Sequence, residues 1–109
     1  MAKNYKIIAQ ASPAATTDTT LYTVPSATQV AISSITICNR AATAATYRIA
    51  MRPNAETLAD KHYIVYGATA PANDTIALTL GLTADAADVI TVYASTASVS
   101  FGVFGSEIA

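Results

Sequence analysis

Apolar and polar side chains alternate at a spacing of two along most of this chain, in short runs broken by Pro, Gly, Asn and Asp. Residues 46–52 alternate without fault: Tyr47, Ile49 and Met51 face one way, and Arg48, Ala50 and Arg52 face the other. That is the pattern of a half-buried antiparallel strand with a wet outer face. Residues 28–39 predict a longer strand whose apolar positions change parity, from Val30 and Ile32 to Ile35 and Ile37. Side chains alternate strictly across a strand, so the change requires one extra residue, and a β-bulge is expected at Ser33-Ser34. Further strands are expected at 4–10, 18–24, 63–66, 75–80, 89–94 and 98–104. Gly67 and Pro71 are read as ending the strand at 63–66, and Gly81 the strand at 75–80, while Gly105 follows the last. Ile76, Leu78 and Leu80 are expected to point into the core. Only residues 55–61 suggest a helix, and they are too few for more than a single turn or an ordered loop.

About eight short strands at this spacing, almost free of helix, predict an all-β protein. The expected fold is a single antiparallel β-sandwich, immunoglobulin-like or jelly-roll-like. With 109 residues there is one globular domain. Residues 1–17 form an N-terminal strand or arm with its linker, and 18–109 form the sandwich. The chain has no Trp and a single Cys, which excludes the antibody type of immunoglobulin domain.

Composition narrows the function. Six basic residues among 109, scattered from Lys3 to Lys61, make no phosphate-tracking stripe, so no nucleic-acid partner is expected. No apolar run reaches the ~18 residues of a membrane span, and residues 1–6 show no secretory h-region. The sequon Asn73-Asp74-Thr75 therefore carries no weight. A weakly charged surface rich in Ala and Thr is poorly protected against association and suits a subunit covered by neighbours.

Candidate chemistry is sparse. His62 is the sole imidazole and stands two residues from Asp60, yet no Ser lies in a nucleophile context, so a surface or interface histidine is expected and no enzyme. Asp85 and Asp88 lack the dense oxygen ligands of a calcium loop and read as turn caps. Cys38, without a Cys or His cluster, reads as a small buried hydrophobe; no metal and no cofactor are expected. The chain has six Tyr, which suit strand packing and protein contacts, or alternatively a glycan platform. The interface candidates are Tyr5, Ile7, Arg48, Arg52, His62, Tyr63 and Tyr66.

The order of short motifs adds a resemblance. Leu21-Tyr22-Thr23-Val24-Pro25 is followed by Ile37-Cys38-Asn39-Arg40, Thr46-Tyr47-Arg48-Ile49-Ala50 and His62-Tyr63-Ile64-Val65-Tyr66. Leu78-Thr79-Leu80-Gly81-Leu82, Val92-Tyr93-Ala94-Ser95 and Phe104-Gly105-Ser106-Glu107-Ile108 complete the series. In this order they resemble small virion structural proteins of tailed bacteriophages, especially those of cyanobacteria and other aquatic bacteria. The resemblance implies a non-enzymatic subunit assembled in the host cytoplasm and incorporated into the virion, with major capsid or tail subunits as partners. It would be a homo-oligomer or lattice-bound. Capsid decoration is the favoured place, with a tail, baseplate or fibre-attachment component as the alternative. A host-surface glycan-binding module is the alternative from another class.

Overall fold

The computed structural model describes residues 3–108, with side chains described from Asn4. Met1 and Ala2, part of the expected N-terminal segment, lie outside the described residues, as does Ala109. Nine strands follow one another: β1 (Lys3–Ala11), β2 (Thr19–Thr23), β3 (Gln29–Asn39), β4 (Ala45–Arg52), β5 (Tyr63–Ala70), β6 (Asp74–Leu78), β7 (Leu82–Ala84), β8 (Val89–Ala94) and β9 (Val99–Ile108). They form two antiparallel sheets, one ordered β1-β9-β3-β6 with β7 also on β3, the other β2-β8-β4-β5.

This order has a simple origin. Pairing β1 with β9, β2 with β8, β3 with β6 and β7, and β4 with β5 describes one long hairpin folded back on itself. Rolling that hairpin up adds the β3–β9 and β4–β8 pairs, which close the two sheets over a common core. The result is the jelly-roll form of the β-sandwich, with β6 and β7 as two halves of one strand. The core lies between the sheets. Val30, Ile32, Ile35 and Ile37 of β3 and Phe101 and Val103 of β9 meet Tyr47 and Ile49 of β4 and Ile90 and Val92 of β8. Phe101 and Tyr47 touch edge to face across the layers, with ring centroids 6.2 Å apart.

The parity change in β3 is a bulge. Ile32 pairs with Gly105 and Ser34 with Phe104, leaving Ser33 as the extra residue. On either side of it Val30, Ile32, Ile35 and Ile37 all point into the core. Residues 55–61 contribute only short 3-10 turns, Pro53–Ala55 and Asp60–His62.

Three glycine or leucine expectations are corrected. Gly67 does not end β5; it is a bulge at φ +71°, where Tyr47 pairs with Ala68 and Arg48 with Tyr66. Gly105 lies inside β9, which runs on to Ile108. Leu80 does not reach the core and is 48% exposed, because β6 stops at Leu78 and Gly81, at φ +64°, swings the chain into β7. The outer face of β4 is also drier than expected: Ala50 is buried and Arg48 and Arg52 are half-buried.

Candidate functional site

Register decides what gathers on the outer face of the second sheet. Tyr66 of β5 pairs with Arg48 of β4, and Arg48 pairs with Tyr93 of β8, so the three side chains form one row across three strands. The Arg48 guanidinium carbon lies 4.4 Å from the Tyr66 ring centroid and 4.2 Å from that of Tyr93. Two aromatic faces thus clamp one cation, each contact worth about 0.5–2 kcal/mol. Among the described residues Arg48 makes neither a hydrogen bond nor an ion pair, and its Nε is sealed from solvent without a partner.

The next residues along this face are organised by the β4–β5 connection, residues 53–62. His62 is buried; its Nδ1 accepts a hydrogen bond from the Ala59 amide at 3.0 Å, and its Nε2 lies 3.3 Å from Glu56 Oε1. This corrects the expected surface histidine: the ring is the internal tie of its own loop, and it bonds Glu56 rather than Asp60. The hydrogen bond from His62 and, after it, the charge of Lys61 hold the Glu56 carboxyl below its usual range. Arg52 completes the tie, donating from Nε to Thr91 Oγ1 at 3.1 Å and from Nη1 to the Glu56 carbonyl at 3.0 Å. Beyond the loop, Tyr63 stands edge-on to Tyr66, centroids 4.8 Å apart, and the two line a surface hollow with Asp60. Tyr66, 63% exposed, belongs to both the hollow and the clamp.

Tyr5 and Ile7 lie elsewhere, on the outer face of the first sheet, 78% and 57% exposed. They sit on its edge strand, where Tyr5 pairs with Ser106 and Ile7 with Phe104. By the same registers this face carries Gln10, Ser100, Gly102, Phe104, Ser106 and Ile108, then Ala31, Ser34, Thr36 and Cys38 of β3. Among the described side chains none on it is charged, and Lys3, paired with Ile108, stands at its end. Lys6, the cation nearest by sequence, turns instead to Glu107, which also accepts a hydrogen bond from Tyr22 of the opposite sheet. Cys38 is half-buried on this outer face rather than in the core, and lines a shallow depression above Gly102.

The sequence-derived candidates therefore divide. Arg48, Tyr63 and Tyr66 come together, Arg52 and His62 fix the loop beside them, and Tyr5 and Ile7 mark a separate surface. Tyr93 was not among the candidates; its place between Val92 and Ala94, both core residues, was the signal that it faces outward. Asp88 behaves as a turn cap, its carboxylate accepting from the Asn54 and Asp85 amides, each at 2.8 Å. No protein-family model matches the sequence, and no curated protein matches it.

Proposed function

We propose that the chain is a non-enzymatic accessory subunit of a bacteriophage particle, bound to its lattice through the outer face of the β1-β9-β3-β6 sheet. The observation that carries this reading is the exposure of Tyr5 and Ile7 at the edge of that face, beside Phe104 and Gly102 of the neighbouring strand. Charged side chains are the usual guard of sheet edges and surfaces against association, whereas the partner of Ile7 across this strand pair is Phe104. Jelly rolls recur in viral capsid domains and in lectins, so the fold permits the role without assigning it. A compact domain of this size suits repetitive binding to a capsid surface, hence the lean toward decoration over a tail position.

The test is reconstitution. Purified chain is added to particles assembled without it, and occupancy is measured by sedimentation. The wild type is expected to bind and Ile7→Glu to bind at least tenfold more weakly, since a charge would be buried unpaired at the contact. Equal occupancy by Ile7→Glu would remove this face from the reading. The hollow of Asp60, Tyr63 and Tyr66 favours a second reading, a glycan-binding module, because aromatic rings beside a carboxylate suit a sugar's apolar face and hydroxyls.

A further inference from the structure

We infer that Arg48 and the adjoining hollow form a subsite for a carboxylated sugar, of the uronic or sialic acid class. This deepens the second reading and rests on it; it does not depend on incorporation into a particle.

Three features of the site carry the inference. The Arg48 fork is held between Tyr66 and Tyr93, so little side-chain freedom remains to be lost when a ligand binds. It has no hydrogen-bond or ion-pair partner among the described residues, and Nε is its only nitrogen shut off from solvent without a bond, which leaves the Nη edge as the approach for an acceptor. A planar fork of N–H donors matches a carboxylate in two parallel bonds. Beside it, sharing Tyr66, lies the hollow of Asp60, Tyr63 and Tyr66. The Tyr63 and Tyr66 rings, nearly perpendicular at 83°, offer an apolar corner for the C–H-rich side of a pyranose. Asp60, whose carboxylate has no hydrogen-bond partner among the described residues, offers an acceptor for ring hydroxyls.

One cation, one carboxylate and an aromatic corner match a ligand bearing one negative charge and several hydroxyls. A sulfate- or phosphate-rich polymer, or an acidic peptide, would set further charges against Asp60 and is disfavoured. Arg48 was visible in the sequence only as an outward residue of a strand. The clamp appears once residues 48, 66 and 93 are placed in register.

The experiment is a titration of the whole, isotope-labelled chain followed by nitrogen–proton NMR. Shielding from solvent slows exchange at Arg48 Nε–H and makes that resonance a direct reporter. Glucuronate is expected to shift it, together with the Tyr63, Tyr66 and Tyr93 amides, at millimolar concentration. Glucose, which lacks the carboxylate, and acetate, which lacks the ring, are expected to bind about tenfold more weakly or less. Arg48→Lys, which keeps the charge and the stem but loses the fork, is expected to lose about tenfold for glucuronate. Asp60→Asn should weaken glucuronate and leave acetate unchanged. Glucose binding as tightly as glucuronate would keep a sugar site and overturn the carboxylate assignment. A glutamyl peptide binding more tightly than glucuronate would overturn it in favour of an acidic protein partner. No response to either sugar would overturn both this inference and the glycan reading.

Discussion

Gly105 faces the bulge residue Ser33 so closely that a Cβ at position 105 would stand 3.0 Å from the Ser33 nitrogen and would collide with the Ala31 carbonyl oxygen. The bulge and the glycine are one device. The extra residue in β3 pushes its backbone toward β9, and only a residue without a side chain leaves room for it. Gly105→Ala should therefore cost about 3 kcal/mol or more of stability, since both colliding groups are backbone and neither can move without breaking the ladder. At Gly102 the atoms in the way are the Thr36 hydroxyl and the Phe104 ring, both ends of side chains. Gly102→Ala should cost about 1 kcal/mol. Paired thermal melts check the order, and equal losses would contradict the assignment of the bulge.

Asn39 is the polar centre at the other end of β3. Its Nδ2 donates to the carbonyls of Thr43 at 2.9 Å and Ala70 at 3.1 Å, and its Oδ1 accepts from the Ala41 amide and the Ser98 hydroxyl. The residue is buried, so replacing it strands the Ala70 carbonyl and the Ala41 amide away from water. Asn39→Leu should lose about 3 kcal/mol in denaturant unfolding, more than the ~1 kcal/mol expected of Ser98→Ala.

Lys6, Tyr22 and Glu107 join the two sheets at the far end of the sandwich, and they set a pH dependence. The hydrogen bond from Lys6, then that from Tyr22, holds the Glu107 carboxyl below its ordinary 4.5. Its contribution is fully present above 4.5 and is lost as the pH falls through the lowered value. Burial first, then the Glu107 hydrogen bond and charge, raises the Tyr22 phenol above its ordinary 10.0. That contribution is fully present below pH 10 and is lost as the pH rises through the raised value. Tyr22→Phe should cost about 1–2 kcal/mol at neutral pH, reduce the alkaline loss to the share of Tyr47, whose phenol burial also raises, and make the acid loss shallower. Urea midpoints measured across pH for both proteins check all three.

Much of the fold was legible in the residues because alternation is a local property. The parity change from Ile32 to Ile35 located the bulge, and the strict pattern of residues 46–52 located β4. Gly67 and Gly105 were misread because a glycine that breaks a strand and one that makes room inside it look alike until a partner strand is known. Leu80 was misread because period two continues past Leu78 in sequence, while Gly81 turns the backbone away. The aromatic clamp was not legible at all. Arg48, Tyr66 and Tyr93 are far apart in the chain, and their meeting depends on two registers, one of them set by the bulge at Gly67. The burial of His62 is not legible either, because nothing local shows that residues 53–62 fold back over β4.

The outer face of the β1-β9-β3-β6 sheet should tolerate a charge in the isolated chain. Tyr5→Glu and Ile7→Glu are expected to change stability by less than about 0.5 kcal/mol, as exposed positions do. Thermal melts identical to wild type, alongside lost binding to particles, would place the effect at a contact. Melts lowered by several kcal/mol would instead make Tyr5 and Ile7 structural.

The most direct test of a lattice-bound subunit is its copy number in purified phage particles, measured by quantitative mass spectrometry against the major capsid protein. On the order of hundreds of copies per particle is the result expected of a protein that repeats over a symmetric capsid. A few dozen copies would move it to the tail, and its absence from purified particles would contradict the proposed role outright.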